Sequence, residues 1–123
     1  MWASAAVDGN TVHVAYQDAL ADTLLYTSWA STPAAPVVVD DGVRAGDRTH
    51  PVGAGAAMFV RNGVPGVAYQ DGLSADVVVA TQSGATWTPA ALPAGAGVNV
   101  DGFHIAAASS GGSAWLARDQ IVV

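Results

Sequence analysis

The pentapeptide Val14-Ala15-Tyr16-Gln17-Asp18 returns unchanged as Val67-Ala68-Tyr69-Gln70-Asp71, fifty-three positions later. Five consecutive identities at a fixed spacing in a chain of 123 residues mark an internal repeat. Ala3/Ala56, Val7/Val60 and Leu20/Leu73 keep the same offset, whereas Asp22/Asp76, Thr27/Thr81, Asp47/Asp101 and His50/His104 stand fifty-four positions apart. One inserted residue, Ser74 or Ala75, would reconcile the two spacings. A unit of about 50 residues is longer than the units of most helical solenoids.

Within the first unit, the β-prone runs Trp2 to Val7 and Thr11 to Gln17 flank Asp8-Gly9-Asn10, a strong hairpin signal. A break at Asp18 to Asp22 leads into Thr23 to Trp29, and a further break at Ser31-Thr32-Pro33 precedes Val37-Val38-Val39, which makes four short strands. The second unit follows the same order: Ala54 to Val60, Val64 to Gln70, Asp76 to Thr81 and Thr86 to Leu92. A third unit opens with Phe103 to Ala108, turns at Ser110-Gly111-Gly112, continues as Ser113 to Arg118 and stops at Val123 after about half of a third strand.

Runs such as Val12-His13-Val14-Ala15-Tyr16 and Val77-Val78-Val79-Ala80 are apolar on both faces, so their sheets need cover on both sides. With no helical segment to supply it, the sheets must stack on one another, and four-stranded sheets stacked around an axis form a β-propeller. The reading is therefore all-β: four-stranded antiparallel propeller-like blades, about two and a half of them, divided near residues 1–52, 53–101 and 102–123. Because a closed propeller takes four to eight blades, closure calls for self-association or for the remaining blades of a parent chain. On this reading Tyr16 and Tyr69 are equivalent packing residues between blades, and most of Trp2, Trp29, Trp87 and Trp115 belong to the core, each N–H finding a backbone partner.

V-A-Y-Q-D followed by a short loop and an Asp-led strand resembles the blade repeats of bacterial secreted and cell-surface β-propellers. Ser83-Gly84-Ala85-Thr86-Trp87 is similar to the end of the Asp-box turn of sialidase-type propellers, although the aspartate of that motif is missing. The resemblance implies an extracellular or cell-surface location and a binding surface for glycan or protein.

Charge narrows the function classes. All ten acidic residues are Asp and all four basic residues are Arg, with no Glu or Lys. Asp favours turns, whereas Glu and Lys favour helix surfaces. A net charge of −6 disfavours nucleic acid, which needs clustered cations. Gly, Pro or Asp interrupts every apolar run before membrane-spanning length, and the start, Met1-Trp2-Ala3-Ser4, lacks the pattern of a signal peptide. The absence of Cys removes disulfide and thiol chemistry.

The repeated polar residues are the candidate site. In an antiparallel blade, the connection entering the first strand and the loop between the second and third strands lie at one end. That places Asp47, His50, Asp101 and His104 on one rim with Asp18, Asp22, Asp71 and Asp76. Two readings of this acidic rim compete. In one, the aspartates cap turns and the histidines tie blades together, as recurrence in every unit favours. In the other, the rim binds glycan hydroxyls or calcium through oxygen ligands, although Asp8-Gly9-Asn10 and Asp40-Asp41-Gly42 supply only pieces of a calcium loop. No other metal or cofactor is expected. His13, His50 and His104 lack zinc-protease spacing, no Gly-x-Ser-x-Gly elbow is present, and no aspartate pair stands out for glycosidase chemistry. The functional expectation is a non-catalytic binding or interaction scaffold; the alternative is part of a propeller-fold polysaccharide hydrolase or lyase.

Overall fold

The computed structural model describes residues 1–93 and 98–122. Alternating and doubly apolar runs become strands wherever Gly, Asn or Asp provides a turn between them. In chain order these are β1 (Ala3–Asp8), β2 (Thr11–Asp18), β3 (Thr23–Trp29), β4 (Val37–Asp40), β5 (Val52–Arg61), β6 (Val64–Asp71), β7 (Asp76–Ser83), β8 (Thr86–Ala91), β9 (Val98–Ser110) and β10 (Ser113–Val122). Among the described residues no helix is long and apolar enough to cross a membrane.

The strands make two four-stranded antiparallel sheets, β1-β2-β3-β4 and β5-β6-β7-β8, and a two-stranded sheet, β9-β10. The protein is thus all-β, as expected. The third unit corrects one boundary: Ile121 and Val122 prolong β10 beside Val100 and Val98 and do not begin a third strand. A long second strand keeps these apolar residues paired along β9, where a turn would leave their backbone groups open.

Ladder register also corrects the alignment of the units. Asp18 faces Thr23 as Asp71 faces Asp76, so the two loops after the pentapeptide have equal length and no inserted residue separates them. The counterpart of Asp22 is Ala75: both take a left-handed conformation (φ 54° and 59°), and their carbonyls accept the N–H of Val52 and of Asp101, respectively. From second unit to third the offset is forty-nine, since Ala57 faces Ala68 as Ala106 faces Ala117, and Val52 faces Asp71 as Asp101 faces Gln120. Asp101 therefore occupies the position of Val52, and His104 that of Gly55. Neither repeats Asp47 or His50. The connection from β8 to β9 is shorter than that from β4 to β5, and the Asp-x-x-His coincidence straddles this difference.

Each sheet has two faces. A leading face carries Val12, Val14 and Tyr16 in the first sheet and Pro65, Val67 and Tyr69 in the second; a trailing face carries His13 and Ala15, or Gly66 and Ala68. The trailing face of the first sheet (Ala15, Leu24, Tyr26) and the leading face of the second (Met58, Val67, Tyr69, Val78) share one core cluster. The trailing face of the second sheet meets β9, where Val77 lies against Gly102 so closely that a Cβ would collide with it. The first strands β1, β5 and β9 are neighbours in that order.

The second sheet is consequently covered on both faces, whereas the first and third are each covered on one. Doubly apolar β2 is only half-buried on its leading face. The tryptophans follow suit. Trp87 packs edge-on against Tyr26 at a ring distance of 4.9 Å, but its N–H has no partner among the described residues, and Trp2 and Trp115 are exposed.

Candidate functional site: a polar clamp between the first two sheets

The connection from β4 to β5 folds back on itself because Gly42 adopts φ +73° and lets the His50 backbone approach closely, with the His50 N–H donating to the Gly42 carbonyl at 2.9 Å. A Cβ at this position would collide with the His50 carbonyl. Pro51 continues the connection and accepts the Gly72 N–H at 2.8 Å, fixing it against the loop after β6.

This closure gathers six side chains from two units. Arg44 donates through Nη1 and Nη2 to the two carboxylate oxygens of Asp40, both at 2.9 Å, a fork geometry that favours specificity. Its Nη2 also reaches Asp71 at 3.2 Å. His50 donates from Nδ1 to Asp71 at 2.7 Å, and its Nε2 lies 3.3 Å from the carboxylate of exposed Asp47. The Tyr69 hydroxyl donates to Asp40 at 2.6 Å. Asp71 also accepts the N–H groups of Leu73 and Ser74 and thereby caps its own loop.

Ionisation follows from these partners. Burial pushes the Asp71 carboxyl upward, but hydrogen bonds from His50 and from the Ser74 and Leu73 backbone outweigh it and hold the pKa below the ordinary carboxylate value. Asp40 behaves alike, burial being overcome by Arg44, Tyr69 and the Gly42 N–H. The hydrogen bond to Asp71 raises the pKa of His50, and burial together with Asp40 raises that of Tyr69. The clamp is an ionised network in which the imidazolium is favoured and the phenol stays neutral.

Of the eight rim residues read from the sequence, the structure brings together three: Asp47, His50 and Asp71. Asp18 caps its own loop through the Leu20 and Ala21 N–H groups. Asp22 and Asp76 take no part in the clamp; the first lends only its carbonyl to Val52, and the second opens β7. Asp101 is 1% exposed and lies 2.8 Å from Arg118 Nη1, a close ion contact without hydrogen-bond alignment. His104 is exposed on β9 and makes a 3.4 Å contact with Asp119. Side-chain contacts therefore join only three of the eight to one another, Asp47, His50 and Asp71, where the β4–β5 connection covers the loop after β6.

Asp40, Arg44 and Tyr69 complete the clamp and were not among the rim residues. Asp40-Asp41-Gly42 read as a turn, and it is one: the two carboxylates accept the Gly42 and Val43 N–H groups. The available signal was scarcity, since an Arg among ten Asp and only four basic residues has strong reason to be paired.

At the second junction Arg118 stands where Tyr69 stands at the first, and its Nη2 donates at 2.9 Å to the Pro93 carbonyl, the counterpart of Asp40. The glutamines of the two pentapeptides act alike. Gln17 donates to the Val52 carbonyl at 3.2 Å and Gln70 to the Asp101 carbonyl at 2.9 Å, each tying its sheet to the next.

Beside the clamp opens a cleft of about 400 Å³, lined by the polar Arg44, His50, Asp71 and Ser74 and by the apolar Val78, Pro89 and Ala91. Among the described residues no group of three or more His, Asp or other ligating side chains is arranged to hold a metal ion. No family model, no curated protein and no solved structure matches the chain.

Proposed function

We propose that the chain is a β-propeller-type binding scaffold, acting outside the cell or at its surface, with each four-stranded sheet a blade and the cleft beside the clamp its ligand site. The cleft carries this reading: its lining combines fixed donors and acceptors with apolar side chains, the combination that a sugar ring with hydroxyl edges and a C–H face would use. The neighbouring first strands and the repeated stacking of trailing on leading faces support the propeller arrangement.

A hydrolase or lyase would need a proton-transfer group within reach of substrate. Tyr69 is fully buried with its hydroxyl on Asp40, both nitrogens of His50 face carboxylates, and Asp40 and Asp71 share Arg44. These engagements favour binding without turnover.

Glycan-array binding run beside a polysaccharide hydrolysis assay tests the proposal. Ala91→Trp should fill the cleft from its exposed apolar wall, abolish glycan binding and leave the melting temperature unchanged; calcium should not alter the melting temperature. Turnover of any polysaccharide, or binding that survives Ala91→Trp, would overturn it.

A further inference from the structure

We infer that the leading face of the first sheet and the trailing face of the third form a head-to-tail interface between copies of this chain. This inference is independent of the ligand proposed for the cleft. Residues that occupy equivalent positions in the first two sheets differ in their cover. Val7 is 68% exposed, whereas its counterpart Val60 is 9% exposed, and Val14 and Tyr16 are half-buried where Val67 and Tyr69 are fully buried. The cover over Val67 and Tyr69 is the trailing face of the preceding sheet.

The third sheet presents the reciprocal deficit. Trp115 pairs with Ala108 and Ala117 with Ala106, so these four share its trailing face, and all are exposed. Their counterparts Gly66, Phe59, Ala68 and Ala57 are buried against the third sheet. The chain thus makes the trailing-on-leading contact twice within itself and leaves one unfilled surface of each kind. A second copy supplies the matching surface for both.

The contact is heterologous: different surfaces meet, and a ring results if the rotation closes. Because the third sheet has only its two inner strands, it would seat on β1 and β2, around Val7, Val12 and Val14. Apolar faces of this kind, left bare, promote association.

Sedimentation velocity across a concentration series, on the wild-type chain and on Val7→Asp and Trp115→Asp, tests the inference. The wild type should sediment as a multiple of its 12.3 kDa mass. Each variant alone should be monomeric, since every copy lacks one of the two surfaces. Mixed, they should form a one-to-one dimer, because Trp115→Asp keeps an intact leading face and Val7→Asp an intact trailing face. Both positions are exposed, and thermal melts will verify that the variants fold; Val7→Ser and Trp115→Ser replace either one that does not. A monomeric wild type, a single variant that still associates, or mixing that restores nothing would overturn the inference. A single variant that still associates would point to like-with-like contact, such as pairing through the open edge of β10.

Discussion

The two copies of Val-Ala-Tyr-Gln-Asp are chemically identical and do different work. In the second copy every residue is buried, Tyr69 holds Asp40, and Asp71 holds His50 and Arg44. In the first copy only Ala15 is buried, and Asp18 does no more than cap its loop. What both share is local or points toward the following unit: the loop cap after the aspartate and the glutamine bond to the next entering strand. What they do not share depends on the preceding unit, because the tyrosine and aspartate lie on the leading face. Position in the array, not residue identity, sets the energetic weight of each side chain.

The widest gap should appear at the tyrosines. Tyr69→Ala removes a fully buried ring and one of the donors to Asp40, which should cost about 3–5 kcal/mol. Tyr16→Ala, on the half-buried face, should cost about 1 kcal/mol or less. Urea denaturation of the two variants measures the difference, and equal losses would erase the contrast between the copies. The expectation from the repeat alone, that both would be equally costly, is revised by this burial.

A smaller gap is expected at the aspartates. Asp71→Asn keeps the shape but removes the charge that His50 and Arg44 face, and should cost about 1.5–3 kcal/mol, the range for hydrogen bonds to charged groups. Asp18→Asn loses part of a loop cap, about 0.5 kcal/mol. Comparable denaturation midpoints would show that the clamp adds nothing to the local cap.

At the glutamines the comparison should nearly vanish. Gln17→Ala and Gln70→Ala each break one bond to the next unit and should each cost about 1 kcal/mol. A large cost at one position alone would mean that the two junctions are not built alike.

The smallest effect is a pair of opposite pH slopes. His50 is raised above its ordinary 6.5, so its contribution is complete below pH 6.5 and is lost as pH rises through the folded pKa. His13, which shares a 2.7 Å hydrogen bond with the Tyr26 hydroxyl, is lowered by burial against the weaker pull of Asp8, so its contribution is complete above pH 6.5 and is lost as pH falls through the folded pKa. His50→Gln should therefore remove a component of stability that falls as pH rises above the ordinary 6.5, and His13→Gln a component that is lost as pH falls below it. Melting temperatures that shift in the same direction with pH in both variants would contradict these assignments. Asp40 and Asp71, both lowered, add stability above their ordinary 3.8 that is lost in acid as pH falls through their folded values.

Strand positions, hairpin turns and the exclusion of helices were legible in the sequence, because they rest on interactions between residues a few positions apart: alternation, Gly and Asn turns, and aspartates that bond their own loops. Its repeat also revealed that sheets must stack. The membership of the clamp was not legible. Asp40 and Tyr69 lie twenty-nine positions apart, His50 and Asp71 twenty-one, and nothing in their local surroundings marks them as partners. The pairing of His50 with His104 failed for a related reason: identity at a fixed spacing says nothing about how long a connection is, and the shorter path into β9 moves His104 onto an exposed strand. Tertiary structure alone decided which of two identical pentapeptides is buried, because burial is a property of what lies across the interface, and that surface is contributed by the preceding unit.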